Sequence, residues 1–265
     1  MIPIHPRALL AAAVAASLAC AGGCDDPPAV AVASAKPSAT VAAPAPTPPP
    51  TPAAAPPAPP PRKKDVICSK DATVTFADAT LEATVRRQLQ KPTGPIARAD
   101  LGKVRTIDIS TAPVNDELDA CLMPLFTGAK SLYLAPGKLD DLSPIKGLTN
   151  LESLRASATQ VKDLTPLAGL TKLDRLDLGR TPVSDLAPLA TLVNLTELQI
   201  DNTEVSDLTP LTKLKKLEVL LMKRTRVSDL TPLKDTRTLK NLYIEGSLVQ
   251  SILPVQGIPG LKIHQ

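Results

Sequence analysis

One phrase recurs in the second half of the chain at a fixed step of 22 residues. It reads TPVSDLAPL at residues 181–189, TEVSDLTPL at 203–211 and TRVSDLTPL at 225–233. A fixed period of this length is the signature of a solenoid, in which each repeat is one supersecondary unit stacked on the next. A lone unit buries too little apolar surface to offset the entropy of ordering its backbone, so each copy needs its neighbours.

Five rows of residues keep this step, one of proline and four of apolar side chains. The rows start at Leu132, Leu134, Leu139, Leu142 and Pro144, and each runs through six residues. The alternating LxL segment predicts a short strand with one buried face, and stacked units place these strands in a parallel sheet. Proline after Thr, Ser or Ala predicts a helical or 3₁₀ return, with proline at its first position and the preceding Thr as N-cap.

This pattern resembles the leucine-rich repeats of bacteria, in particular the 22-residue repeats of the internalins. The resemblance runs from Thr73 to Gln265. It implies an α/β fold, a leucine-rich-repeat solenoid with a parallel inner sheet, short helical or 3₁₀ returns and a small helical N-terminal cap. Where many such repeats carry Asn, this chain has hydroxyl residues, which we expect to bond to turn backbone. They are Thr159, Thr181, Thr203, Thr225 and Ser247.

Composition divides the chain into four predicted segments. They are a lipoprotein-type signal peptide (1–24), a Pro/Ala-rich disordered linker (25–64), a helical cap (65–103) and the leucine-rich repeats (104–265). The linker has almost no large apolar side chains and cannot bury a core, so it is either a semi-rigid stalk or a disordered tail. In the cap, Leu81, Val85 and Leu89 form the apolar stripe of a helix that Asp78 caps.

The signal segment predicts export and a lipid anchor. Arg7 gives its start a positive charge, and residues 8–19 form an apolar run too short to span a bilayer. The following SLACAGGC resembles a bacterial lipobox, in which the lipidated residue is either Cys20 or Cys24; the alternative is an ordinary cleaved signal. This interpretation places the protein in the bacterial cell envelope, attached to a membrane through lipid.

Two further cysteines, Cys68 and Cys121, stand in the cap and in the first repeat. In an exported protein a disulfide between them is plausible, and two buried free thiols are the alternative. A metal or redox site is disfavoured because no CxxC motif or histidine ligand stands near either cysteine.

The sequence predicts no enzyme, no cofactor, no metal site and no small-molecule substrate. His264 is the one histidine outside the signal, so a Ser-His-Asp arrangement has no credible base, and neither a phosphate-binding glycine loop nor HExxH occurs. A row of aspartates suits calcium or, as we favour, hydrogen bonds to turn backbone. The row consists of Asp163, Asp185, Asp207 and Asp229. The net charge of +4 is too small to predict nucleic-acid binding.

Residues between the buried positions of each strand face out from the concave sheet, and they vary from unit to unit. We expect them to bind a protein partner, whose identity the sequence does not give. The candidates are Tyr133, Arg155, Asp177, Arg180, Gln199, Asp201, Leu221, Lys223, Arg224 and Tyr243. Tyr243 is the first candidate hot spot, and Asn202, one step beyond its strand, is expected to tolerate Ala. The alternatives are an envelope spacer without a specific partner and a repeat domain that regulates an envelope enzyme.

Overall fold

The computed structural model describes residues 68–113 and 116–265. The predicted signal peptide, the linker and both candidate lipidation cysteines, Cys20 and Cys24, lie outside the described residues. Within the described part, one continuous hydrophobic core runs from the cap to the last repeat.

The solenoid begins with a small helical unit. Its elements are β1 (Thr73–Val74), α1 (Ala79–Leu89) and β2 (Ile96–Ala97), and the two strands pair antiparallel. Asp78 starts the helix, because its carboxylate accepts the backbone N–H groups of Thr80 and Leu81 at 2.7 and 3.2 Å. Leu81 and Val85 are fully buried and Leu89 is partly buried against the same core, as the four-residue apolar step predicts.

A disulfide links the start of this unit to the first repeat. Cys68 and Cys121 are bonded, with their Cα atoms 5.4 Å apart and 53 residues of sequence separation between them. In the chain-entropy description, a crosslink over a loop of this length stabilises the fold by restricting the unfolded chain.

Eight strands of three residues each form one parallel sheet, in chain order. They are β3 (Thr106–Asp108), β4 (Ser131–Tyr133), β5 (Ser153–Arg155), β6 (Arg175–Asp177), β7 (Glu197–Gln199), β8 (Val219–Leu221), β9 (Asn241–Tyr243) and β10 (Lys262–His264). The central residue of each strand lies beside that of the next, as Leu176 lies beside Leu198 and Leu198 beside Leu220. These central leucines are buried, so the predicted leucine-rich-repeat solenoid is confirmed.

The returns between strands are 3₁₀ turns, and the predicted N-cap is wrong. In the return Thr165–Leu167, Thr165 is the first helical residue and Pro166 the second, and no side chain caps the turn. Asp163 instead accepts the Thr165 backbone N–H at 2.8 Å. The same bond recurs from Ala187 to Asp185, from Thr209 to Asp207 and from Thr231 to Asp229. The aspartate row therefore serves the turns, as we favoured over calcium.

A tight turn follows each of the five strands from β5 to β9 and depends on the hydroxyl row. Thr181 is buried, and its Oγ1 donates to the carbonyl of Leu178 at 2.7 Å. Equivalent bonds from Thr159, Thr203, Thr225 and Ser247 confirm the predicted role of this row. The residue before each hydroxyl residue has a positive φ, a conformation that favours Gly and Asn. These residues are Ala158 (57°), Arg180 (58°), Asn202 (55°), Arg224 (53°) and Gly246 (67°).

The row of buried leucines predicts that substitutions on the two faces of one strand differ greatly in their effect on the unfolding free energy. Leu198 is fully buried in a central layer, so Leu198→Ala should cost about 2–5 kcal/mol of unfolding free energy. Gln199 is its neighbour on the opposite face of the strand. Gln199→Ala should lower the unfolding free energy by less than about 1 kcal/mol. Chemical denaturation of the two variants measures both values. Equal losses would show that the assignment of the two faces is wrong.

The positive φ values predict that Gly stabilises one site and destabilises another. Ala158→Gly should gain about 0.5–1 kcal/mol, because relief of the left-handed strain exceeds the entropy that Gly adds to the unfolded chain. Ala168, whose φ of −57° is ordinary, is the matched control, and Ala168→Gly should lose a similar amount. Asn202→Ala should cost about 1 kcal/mol, contrary to the expectation from sequence pattern, because Ala tolerates this conformation less well than Asn. If melting curves show that both Gly variants lose the same amount of stability, Ala158 is not strained by its positive φ.

Candidate binding surface

The solvent-facing side of the parallel sheet, here called the sheet face, carries the first and third residues of every strand. The third residues form one continuous row in exact register across the eight strands. The row runs Asp108, Tyr133, Arg155, Asp177, Gln199, Leu221, Tyr243 and His264. Adjacent strands lie about 4.8 Å apart, so neighbours in the row are within contact distance. Gln199, Leu221 and Tyr243 therefore lie side by side, as their spacing predicted.

The middle of the sheet face is a polar depression of about 160 Å³ across β4 to β7. The Arg155 guanidinium carbon lies 5.6 Å from the Tyr133 ring centroid, and its Nε lies 3.5 Å from an oxygen of Asp177. Gln199 donates to Glu197 at 2.7 Å. The depression thus contains one pair of opposite charges, Arg155 and Asp177.

The other end of the sheet face is a cluster of rings with charged groups around it. Tyr243 stacks on His264, with ring centroids 4.1 Å apart and an interplanar angle of 9°. Lys223 Nζ lies 5.2 Å from the Tyr243 ring centroid and 2.9 Å from a carboxylate oxygen of Glu245. Leu221, directly beside Tyr243, is half-buried, as Tyr243 is. We call Leu221, Lys223, Tyr243, Glu245 and His264 the ring cluster.

Sequence reasoning did not assign His264 or Glu245 to this site. His264 follows Tyr243 by 21 residues, one fewer than the repeat period, so a search at the 22-residue step passes over it. Its ring is half-buried, and within the described residues its Nε2 has no hydrogen-bond partner although the atom is buried. The strand pattern of Lys262–His264 identifies it, because a residue two positions after Lys262 lies on the same face of the strand.

Asp201 lies next to the ring cluster in an unfavourable environment for a charge. Burial raises the pKa of its carboxyl group above the ordinary value of 3.8, and the nearby charges of Asp177 and Glu245 act in the same direction. The Lys223 backbone N–H, which donates to its Oδ1 at 2.7 Å, and the positive charge of Lys223 act in the opposite direction. The raised pKa shows that burial is the stronger effect.

Arg180 and Arg224 do not lie with the other candidates in the sheet depression. Both are exposed and occupy the left-handed turns that follow β6 and β8. They line a different, open groove along the edge where the strands end. The candidate residues thus divide between the sheet face and this edge.

The described residues offer no site for metal chemistry. In residues 68–113 and 116–265, no group of three or more His, Cys, Asp or Glu side chains is placed to hold a metal ion. Over the same ranges, no helix has the length and apolar character that crossing a bilayer requires.

Comparison with known proteins agrees with this architecture. A family model described as leucine-rich repeats (2 copies) matches residues 149–191. No curated protein matches the sequence. Together with the eight-stranded sheet and its 3₁₀ returns, the match defines a leucine-rich-repeat solenoid.

Solved structures from two bacteria share this solenoid. Internalin C2 from Listeria monocytogenes is 27% identical, with 71% of this chain and 93% of that chain covered and a TM-score of 0.58. An internalin from the same organism is 25% identical, with 71% and 56% covered and a TM-score of 0.63. A leucine-rich-repeat protein from Leptospira interrogans, at 19% identity, shares the fold, with 57% and 40% covered and a TM-score of 0.51.

Asp201 predicts a pH dependence of stability with a definite sign. Its folded-state pKa is raised above 3.8, so the folded state binds the proton more tightly and its contribution to stability falls as the pH rises through this window. Asp201→Asn removes the charge and keeps an oxygen that can accept the Lys223 N–H. The variant should therefore melt above wild type at pH 7, and the difference should shrink as the pH falls towards 3.8.

Asp207→Asn is the matched control with the opposite sign. Hydrogen bonds from the Thr209 hydroxyl and backbone N–H hold the pKa of Asp207 below 3.8. Its stabilising contribution is present above that pH and is lost on acidification, so this variant should melt below wild type at pH 7. Melting temperatures of both variants between pH 3 and 7 provide the measurement. A lower melting temperature for Asp201→Asn at pH 7 would contradict the burial argument.

Proposed function

We propose that this protein is an exported, lipid-anchored leucine-rich-repeat module that binds a protein partner through the concave side of its sheet. The general class is supported by the fold, because internalin-like leucine-rich repeats are commonly protein-interaction modules. The partner, the export and the anchor are the proposal. The binding residues we assign are the ring cluster and the adjoining Tyr133, Arg155, Asp177, Gln199 and Asp201.

The observation that carries the proposal is the composition of the ring cluster. Two stacked rings and Leu221 make an apolar centre, and Lys223 and Glu245 lie at its margin. Protein interfaces have this anatomy, with apolar and aromatic residues in the middle and polar groups at the rim. Tyr is enriched among the residues that dominate binding energy, whereas Leu is not, so Tyr243 is the principal anchor in this proposal.

The electrostatics of the sheet face support a protein partner over a highly charged one. Arg155 is close to Asp177 and Lys223 is close to Glu245, so a large part of the local charge is already compensated. A polyanion or polycation would have to break these pairs without finding a uniform field. A partner that covers the rings and leaves the pairs at the rim fits the surface better.

The anchor rests on the sequence alone. The short apolar run and SLACAGGC resemble a lipobox, and the proline-rich residues 25–64 follow it directly. Forty residues of polyproline II geometry reach on the order of 100 Å, so such a spacer would hold the repeats away from a membrane surface. This arrangement would leave the sheet face accessible to a partner.

Loss of the Tyr243 and Leu221 side chains from the ring cluster should weaken partner binding and leave the fold intact. Tyr243→Ala combined with Leu221→Asp should weaken binding by at least about 2 kcal/mol, because the apolar anchor is lost and a charge replaces it. The partner is first captured from the native envelope with the wild-type chain. Affinity and melting temperature are then measured for the double variant.

Leu253→Asp is the matched control, since Leu253 is 71% exposed and lies in a 3₁₀ return rather than on the sheet face. It should leave the affinity unchanged. Unchanged affinity in the double variant would exclude the ring cluster as the binding site. Failure to capture any reproducible partner would favour an envelope spacer.

Replacement of both candidate lipidation residues should release the protein from the membrane. A chain with Cys20→Ser and Cys24→Ser should lose incorporation of labelled fatty acid and move to the soluble fraction, because no thiol then remains at the lipobox. The two single variants show which cysteine is used. Persistent, detergent-sensitive membrane association of the double variant would place the anchor elsewhere in the protein.

A further inference from the structure

A second surface lies at the edge of the solenoid where the strands end. It is an open groove of about 670 Å³, here called the strand-exit groove, and it crosses several consecutive repeats. Its lining includes Arg180, Asn202, Glu204, Arg224, Arg226 and Leu248. None of these residues belongs to the polar depression on the sheet face.

The arginines of this groove are available for a ligand. Arg180, Arg224 and Arg226 are all exposed, and within the described residues none forms a side-chain hydrogen bond or an ion pair. Glu204 is the one acidic side chain of the lining. On the sheet face, by contrast, Arg155 and Lys223 already lie beside carboxylates. The lining of the groove thus carries three positive charges and one negative charge.

The backbone beneath these arginines is held in place on successive repeats. Arg180 N–H donates to Asp201 O at 2.7 Å, and Arg224 N–H donates to Glu245 O at 2.8 Å. Asn202, on the repeat between them, makes the same bond to Lys223 O at 2.8 Å. Arg180 and Arg224 are therefore two strand spacings apart, about 10 Å between their backbones.

The choice of arginine at these positions is unfavourable for the turn itself. Both residues have positive φ, whereas Asn202 and Gly246 show that the same turn accepts the two residues that suit it best. The Arg224 stem also lies close to Gly246, where an added Cβ would come within 3.1 Å of Arg224 Cγ. Ala158 has the same conformation without a guanidinium group, so the strain belongs to the turn, and the exposure and spacing of the arginines are what favour a ligand.

We propose that the strand-exit groove binds an extended acidic segment of a polypeptide, with carboxylates three residues apart. In polyproline II geometry an extended chain has three residues per turn and rises about 3.1 Å per residue, so such carboxylates lie on one side of the chain about 9 Å apart and match the spacing of Arg180 and Arg224. Arginine suits this contact because its planar group binds a carboxylate through two parallel hydrogen bonds. The negative charge of Glu204 would repel a densely charged polyanion. A segment with uncharged residues between its carboxylates therefore fits the groove better.

The test uses the full-length chain and fluorescein-labelled peptides in an anisotropy titration. The spaced peptide is EGSEGSE, and the control peptide EEEGSGS has the same composition with contiguous glutamates. The spaced peptide should bind at least about 5-fold more tightly, and a rise from 50 to 500 mM salt should weaken it by about 10-fold or more. No saturable binding, or tighter binding of the contiguous peptide, would overturn the proposal.

The groove variant combines Arg180→Asn, Arg224→Asn and Arg226→Gln. Asn is compatible with the positive φ, as Asn202 shows, so the melting temperature should not fall. Affinity for the spaced peptide should drop by at least about 10-fold. The charge-matched control, Lys213→Gln with Lys234→Gln and Arg237→Gln, removes three exposed positive charges outside the groove and should stay within about 2-fold of wild type. An equal loss in both variants would show non-specific attraction and refute the site.

Two further measurements complete the test. Arg226→Glu leaves both strained turns untouched, and it should still reduce affinity if the groove variant fails to fold. A sulfated hexasaccharide is the competing ligand. If it displaces the spaced peptide from wild type and binds more tightly than the peptide does, the groove is a polyanion site and the proposal is overturned. The Tyr243→Ala, Leu221→Asp variant should bind the peptide as wild type does, because this inference does not rest on the ring cluster.

Discussion

The stacking of one buried leucine layer on the next is the interaction on which the rest of this structure depends. Leu154, Leu176, Leu198 and Leu220 lie in successive rungs, and each is in contact with the rung on either side. A repeat of 22 residues has no core without those neighbours, so stability is shared along the solenoid. The same stacking sets the separation of everything on the surface. Residues at equivalent positions of two consecutive repeats therefore lie about 4.8 Å apart on neighbouring strands.

The first and last strands of the described sheet differ in how well they are covered by other parts of the chain. At β3, α1 covers the edge: Gln88 Oε1 accepts the Thr106 N–H at 3.0 Å, its Nε2 bonds to the Thr106 carbonyl, and Thr84 donates to Asp108 O at 2.9 Å. Towards β10 the core thins, since Ile252 and Ile263 are only partly buried. A layer with fewer packed neighbours opens at lower free energy. The ring cluster lies beside these less buried layers.

Sequence pattern predicts what a side chain must do in every repeat. The leucine rows, the strands, the hydroxyl bonds and the side-by-side placement of Leu221 and Tyr243 all follow from a fixed period. The predicted Thr165 cap is wrong because the Leu167 and Ala168 N–H groups that it would bind already donate to the backbone carbonyls of Leu164 and Thr165. The positive φ before each hydroxyl was not predictable, since Ala, Arg, Asn, Arg and Gly occupy it in turn. That conformation is imposed by the turn, and no single residue type reports it.

The repeat also places two chemically different surfaces on one stack of buried layers. On the sheet face, cations such as Lys223 are held beside carboxylates, so what remains for a partner is the ring surface of Tyr243 and His264. Contact with rings depends on shape and burial and responds little to salt. At the strand exits no carboxylate of the described chain takes up the guanidinium groups of Arg180 and Arg224, and their field extends into solvent until salt screens it. A partner that carried both an apolar epitope and an acidic segment would be attracted by the edge and selected by the rings. Because both surfaces are attached to the same stacked layers, the gain from engaging both would depend on the length of the linker within the partner.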